Sequence, residues 1–330
     1  MHEEKLKLQA DTLKKIQNDV RERGIRTLYT VACGGSLATI WPAKYILERE
    51  STKLTAGAYS ANEFFYDPPA RIDANTLVIL NSSSGSTPET VNAARLAKER
   101  GALVVAFCAN IGSALEEQAH YTLYYYENLI DPPADLAIYP EAYLLTAAVL
   151  DAVEGSARLK EMREAIGELN AISEAALIDY APIAREFALA SRNEPLVYTI
   201  SAGLDRSAGY VLTNCSFMES VWIHSSPLHA GEFFHGAFEA VDEETPVVAF
   251  LGLGKVRALE ERAVLFLQRI TKKLTVIDAR NFVLSSIPEW TRPYIAMLVL
   301  GRVAGQFCES LCDIKGHPSS SRRYMGVVKY

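Results

Sequence analysis

The stretch Thr76-Leu-Val-Ile-Leu-Asn-Ser-Ser-Ser-Gly-Ser-Thr-Pro88 runs from an apolar segment through a polar loop to a helix start. Thr76–Leu80 is short and apolar, the pattern of a strand buried on both faces. Thr87 is a good N-cap, Pro88 suits the first helical position and Glu89 favours the first turn. These signals predict a helix from Pro88 to Arg100, closed by Gly101. Strand, loop and helix in this order form the repeating unit of a parallel sheet covered by helices.

The same grammar recurs along the chain. Tyr29-Thr-Val-Ala-Cys-Gly34 resembles Tyr198-Thr-Ile-Ser-Ala-Gly203, and Thr76–Leu80 resembles Thr245–Ala249, both at an offset of 169 residues. Leu103–Phe107 echoes Leu274–Asp278 at an offset of 171. Three short strands in matching order and spacing point to a duplicated unit. Helical periodicity covers Leu37–Arg49, about 155 to 190, and Arg292–Cys312. Asp131-Pro-Pro-Ala-Asp135 breaks the chain before a helix over Glu141–Val153. The expected organisation is a first domain at 1–154 with its N-terminal helix, a helical connector at 155–192, and a second domain at 193–330 with a polar, basic tail.

Composition narrows the function classes. The 330 residues, 49% of them hydrophobic, are enough for one large or two ordinary cores. Forty acidic against 33 basic residues give a net charge of −7, and no basic cluster exceeds a pair, so nucleic acid is not an expected partner. The charged, amphipathic N-terminus lacks a signal-peptide core, and no apolar run reaches the ~18 residues of a membrane span. No membrane association and a cytoplasmic location are therefore expected. Cys308, Cys312 and His317 have a spacing that admits zinc, but such cysteines are more often small helical core residues, and no metal is expected.

Ligands of open parallel sheets sit beyond the carboxyl ends of the strands, where loops enter helices. The loop Ser82-Ser-Ser-Gly-Ser-Thr87 packs four serines and a threonine into six positions at such a place. Hydroxyls of Ser82, Ser84 and Thr87, close backbone approach at Gly85, and the following helix N-terminus make a neutral cradle for an anion. The alternative is an ordinary serine-rich turn. Cys33-Gly34-Gly35-Ser36 leaves a strand in the same way and adds Ser36 as a donor. Neither loop is a P-loop or a dinucleotide fingerprint, so the expected ligand is a phosphorylated small molecule.

Acid–base candidates cluster between Asn214 and Glu239, where three of the six histidines (His224, His229 and His235) fall within twelve residues. Glu219 lies on an apolar helix, between Met218 and Val221-Trp222-Ile223, where burial raises a carboxyl pKa and poises a base. An exposed carboxylate or a structural ion pair are the alternatives. The histidine spacings of five and six match no helical metal-ligand pair.

Taken together, VACGGS at Val31–Ser36, YSANEF at Tyr59–Phe64, GSTPETV at Gly85–Val91, HAGEFFHG at His229–Gly236 and the tail RRYM at Arg322–Met325 resemble tandem sugar isomerase (SIS) domains. The closer likeness is to fructosamine-6-phosphate deglycases of the fructose–amino-acid type, relatives of the isomerase half of glucosamine-6-phosphate synthase. The resemblance implies an α/β architecture of two tandem flavodoxin-like SIS domains, each a parallel sheet flanked by helices, in a homodimer with its active site near the subunit interface. It implies phosphate binding by Gly35, Ser36, Ser82, Ser83, Ser84 and Thr87. Glu219 then matches the general base, and His235 the ring-opening histidine, which in the synthase arrives from the partner subunit. Glu232, His224, Arg323 and Tyr324 are further candidates for substrate contact, and no cofactor is implied.

Departures from the synthase argue against aminosugar synthesis. Its Ser-Thr-Lys segment is replaced by Ala137-Ile-Tyr-Pro-Glu141, its tail lysine falls at Gly326 with Lys329 three residues on, and no glutaminase segment is expected. The implied function is cleavage of a 6-phosphorylated sugar–amine adduct to hexose 6-phosphate and free amine. A phosphosugar isomerase, an aminosugar-6-phosphate deaminase and a non-catalytic sugar-phosphate sensor are the alternatives.

Overall fold

A computed structural model of the chain describes residues 2–126 and 134–329. The predicted break at Asp131–Asp135 lies mostly outside the described residues, at 131–133. The chain divides into two compact units, Met1–Gly167 and Glu168–Tyr330.

In the first unit the elements are α1 (His2–Glu22), β1 (Thr27–Ala32), α2 (Gly34–Glu50), β2 (Thr55–Ser60), α3 (Ala61–Tyr66), β3 (Thr76–Asn81), α4 (Pro88–Glu99), β4 (Leu103–Cys108), α5 (Ala114–Gln118), β5 (Tyr121–Tyr124), α6 (Ile138–Glu154) and α7 (Arg158–Gly167). The strands are parallel in the order β2-β1-β3-β4-β5, a flavodoxin-like winding whose switch point lies between β1 and β3. β1, β3 and β4 are buried along their whole length, which is why they read as continuous apolar runs. The edge strands β2 and β5 are half exposed and carry mixed residues, so no strand was legible there.

The second unit holds α8 (Leu169–Ser191), β6 (Leu196–Ser201), α9 (Arg206–Tyr210), a π-helix at Val211–Val221, β7 (His224–His229), β8 (Val247–Leu251), α10 (Arg257–Ile270), β9 (Leu274–Asp278) and α11 (Arg292–Lys315). Its parallel order, β7-β6-β8-β9, repeats that of β2-β1-β3-β4, so the two sheets are wound alike as the matched spacings predict. β7, His224-Ser-Ser-Pro-Leu-His229, is again an edge strand, which tolerates Pro227 because one side of its backbone needs no ladder partner.

The helical stretch 155–192 is shared between the units, α7 belonging to the first and α8 to the second. α11 alters one reading of the sequence. Its best 18-residue window has a mean hydropathy of 1.4, long and apolar enough to cross a bilayer, yet 67% of that window is buried inside the fold. A helix apolar on all sides is also what a core demands, and α11 packs along α8. Cys308 and Cys312 lie buried on this helix, where burial pushes the Cys308 thiol up to about 12.

Candidate functional site

In the first unit the loops leaving β1 and β3 lie at the switch point, and one buried amide joins them. Asn81, the last residue of β3, donates through Nδ2 to the Ser36 carbonyl (3.1 Å) and to Thr39 Oγ1 (2.8 Å). Its Oδ1 accepts from the Tyr125 hydroxyl at 3.2 Å. A buried amide so occupied pins the first turn of α2, with Gly35 and Ser36, to the end of β3. The sequence reading did not single out Asn81. Its signal is a polar residue closing a wholly apolar strand.

The serine loop is tightly wound. Gly85 donates its N–H to the Ser82 carbonyl (3.0 Å) and adopts φ +64°. A Cβ at Gly85 would collide with Ser113, so the turn and this neighbour both demand glycine. Ser86 donates through its N–H (3.2 Å) and its hydroxyl (2.9 Å) to Ser84 Oγ, while the Ser83 carbonyl accepts from Ala109 N–H.

Thr87 occupies the N-cap position of α4 but does not cap it. Its hydroxyl pairs with Ser82 Oγ at 2.9 Å, and no side-chain cap bond forms. α2 likewise starts from Cys33 without a side-chain cap. Both helices therefore present first-turn N–H groups that their own caps do not consume, beside the Ser82 and Thr87 hydroxyls. Such a set of neutral donors suits an anion.

The second unit presents two different arrangements. At its own switch point, Ala202 and Gly252 donate their N–H groups to the two oxygens of Glu260, at 2.8 and 2.9 Å. Asp205 is buried and hydrogen-bonded to Glu260, and burial pushes both carboxyls well above the usual carboxylate range. Arg257 flanks them, spanning Asp278 through two 2.7 Å bonds and accepted by the carbonyls of Leu251 and Gly252. Where the first unit offers hydroxyls, the second carries carboxylates of its own.

The other arrangement is an open cleft of ≈470 Å³ lined by Glu219, Trp222, His224, Arg322, Arg323 and Tyr324 among others. The π-helix builds its floor. Leu212, Phe217 and Val221 turn inward, Phe217 stacking on Phe187 at 5.9 Å, while Met218 and Glu219 turn out. Glu219 is thus not buried as the apolar sequence around it suggested. Its side chain keeps 26% of its surface and pairs with Arg322 at 2.8 Å. Cys215, one turn back, has its thiol pushed up to about 11 by burial, with Glu219 adding to the shift. π-turns of this kind are frequent at functional sites.

The tail folds over this floor. Arg322 also donates to the carbonyls of Ser319 and Ser321, at 2.9 and 2.8 Å. The Arg323 guanidinium lies 4.4 Å from the centroid of the Trp222 ring. His224, Arg323 and Tyr324 are accordingly brought to Glu219, whereas His235 and Glu232 are not. Those two sit exposed in the turns after β7, with the His235 N–H donating to the Glu232 carbonyl at 2.9 Å. Phe233 anchors this segment from below against Phe238 and Phe266.

Comparison with known proteins extends this picture. Residues 23–152 match the SIS domain family. The fructosamine deglycase FrlB of Bacillus subtilis is 39% identical over 315 residues, which cover 94% of this chain and 95% of that one. The fructoselysine 6-phosphate deglycase of Escherichia coli O157:H7 is 30% identical over 319 residues, 96% of this chain and 90% of that one. A solved Bacillus subtilis structure superposes with a TM-score of 0.94 at 38% identity, covering 97% of each chain. With both sheets wound alike and the likeness running through both units, the chain belongs to the tandem SIS-domain family that includes the fructosamine deglycases.

Proposed function

We propose that this protein is a deglycase that cleaves a 6-phosphorylated fructosamine into hexose 6-phosphate and a free amine or amino acid. The observation that carries this reading is the Glu219 carboxylate, standing in an open cleft and held by Arg322, in a chain so closely similar to a fructosamine deglycase. The uncapped starts of α2 and α4, with Gly35, Ser36, Ser82, Ser83, Ser84 and Thr87, take the phosphate through neutral donors.

In this reading His235 assists opening of the sugar ring. Glu219 removes a proton from C1 of the open ketoamine while the C2 carbonyl oxygen takes one up from solvent, giving an enaminol. The carboxyl then returns its proton to C2 as the nitrogen gives one up. The product is an imine at C1. Water adds to that carbon, the C–N bond breaks, and the nitrogen leaves with a proton as free amine. The steps are ring opening, proton transfers, a hydration and the C–N cleavage that follows it.

His235 lies exposed and outside the Glu219 cleft of its own chain, which supports a homodimer in which it serves the partner's site. A phosphorylated sugar does not cross a bilayer unaided, which supports action in the cytoplasm.

Purified protein supplied with fructosyl-amino-acid 6-phosphates, with glucose 6-phosphate followed through a coupled dehydrogenase, tests the reading. Glu219→Gln is expected to lower kcat by ~10²–10⁴-fold while phosphosugar binding persists. Full turnover in that variant removes Glu219 from the chemistry, and no product from any adduct removes the deglycase assignment.

A further inference from the structure

We propose that Arg323, stacked on Trp222, reads the carboxylate on the amino-acid half of the substrate and thereby selects among adducts. The inference rests on the deglycase reading above. In that chemistry the amine hangs from C1, the carbon whose proton Glu219 removes, so the side chains around Glu219 also surround the substituent on nitrogen. Those side chains are largely apolar: Met218, Trp222, Ile223, Tyr324 and Met325.

Two arginines enter the cleft, and they are differently committed. Arg322 is spent on Glu219 and on the carbonyls of Ser319 and Ser321. Arg323 has no carboxylate partner among the described residues and lies over the face of the Trp222 indole. A guanidinium held over a ring face by its charge spends no hydrogen bond on a carboxylate there, so its N–H groups stay open for a two-pronged bond to a planar anion. A single such fork among apolar side chains matches one carboxylate carried on a hydrocarbon stem, as in an amino acid.

Trp222 is held for this purpose at a backbone cost. Its φ of 62° makes it the one non-glycine residue at positive φ among those described. A bulky aromatic residue keeps that conformation only where its surroundings impose it. Here Ile223 N–H closes onto the Phe217 carbonyl at 2.9 Å, and the His317 ring meets the indole edge-on with the ring centroids 4.2 Å apart. With 40% of its surface exposed, Trp222 does not owe this position to burial in the core. It is a platform at the rim of the cleft.

The test compares two substrates that differ only in the carboxylate, the 6-phosphofructosyl adducts of glycine and of methylamine, with kcat and KM measured separately. Wild-type protein is expected to favour the glycine adduct. Arg323→Ala should lower the ratio of kcat/KM values (glycine over methylamine) by roughly ten- to a hundredfold, mainly through KM, the range of a lost charge-assisted bond. Arg323→Lys should recover part of that ratio, because an ammonium supplies charge without the planar fork. An unchanged ratio in Arg323→Ala, or equal losses on both adducts, overturns the assignment and leaves the deglycase reading standing. Failure of wild-type protein to release glucose 6-phosphate from these two and from every other fructosyl-amine 6-phosphate overturns both.

Discussion

Arg322 joins Glu219 at 2.8 Å, and the same guanidinium donates to the carbonyl oxygens of Ser319 and Ser321. One cation therefore positions the cleft carboxylate and curls the tail that closes over it. Both side chains of the pair keep about a quarter of their surface, 29% and 26%, so solvent screens much of their attraction.

Arg322→Ala should accordingly change global stability by less than about 1 kcal/mol. The tail, by contrast, should come loose. Limited proteolysis with a protease of broad specificity should cut within residues 317–329 faster than in wild type, and turnover should fall with it. Equal cleavage rates would show that Arg322 does not hold the tail.

Asn81→Ala removes the amide that ties the start of α2 to the end of β3. Two acceptors, the Ser36 carbonyl and Thr39 Oγ1, and one donor, the Tyr125 hydroxyl, lose this partner in a buried setting, at a cost of about 1–3 kcal/mol. A lower urea midpoint should be accompanied by a raised KM with kcat less affected, since the phosphate donors shift while Glu219 does not. A kcat loss at constant KM would contradict this role.

Ser82 and Thr87 act as a pair, because their hydroxyls meet at 2.9 Å. Ser82→Ala and Thr87→Val should each weaken phosphosugar binding by roughly three- to tenfold, the loss of one hydrogen bond of about 1 kcal/mol. The double variant should show less than the product of the single effects, as neighbours in one network do. Isothermal titration with a hexose 6-phosphate measures all three. Strict additivity would mean that the two hydroxyls act independently.

Asp205 and Glu260 set a pH dependence of stability whose sign follows from their raised carboxyl pKa values. Above about pH 4 the unfolded chain has released a proton that the folded pair still holds. The pair's contribution is full below that pH and is lost as pH rises through the raised range of the pair. Asp205→Asn keeps a hydrogen-bonding group facing Glu260 but removes one titrating group. Its urea midpoint should therefore decline less steeply than that of wild type between about pH 5 and pH 8. Parallel slopes would show that Asp205 does not contribute to the pH dependence.

The sequence alone determined the parts of this protein that are local. Leu77–Leu80 and Leu103–Cys108 had to be apolar throughout because both faces of their strands are buried, so pattern and structure coincide there. The loops that follow strands at matched spacings were legible for the same reason, and with them the doubled winding and the serine-rich donor set. The half-exposed edge strands β2, β5 and β7 carry no such pattern and could not be read. Thr87 satisfied every local rule for an N-cap, yet its hydroxyl turned to Ser82, a choice between a backbone N–H and a neighbouring hydroxyl that sequence does not settle. Tertiary structure alone decided the environment of Glu219. The apolar residues around it predicted burial, but the π-helix turned Phe217 and Val221 to the core and left the carboxylate facing a cleft. Its partner Arg322 comes from the far end of the unit, and Asp205 meets Glu260 across two strand ends. Strand and helix patterns record burial along one segment, whereas a carboxylate's charge state and partners depend on which distant segments the fold stacks against it.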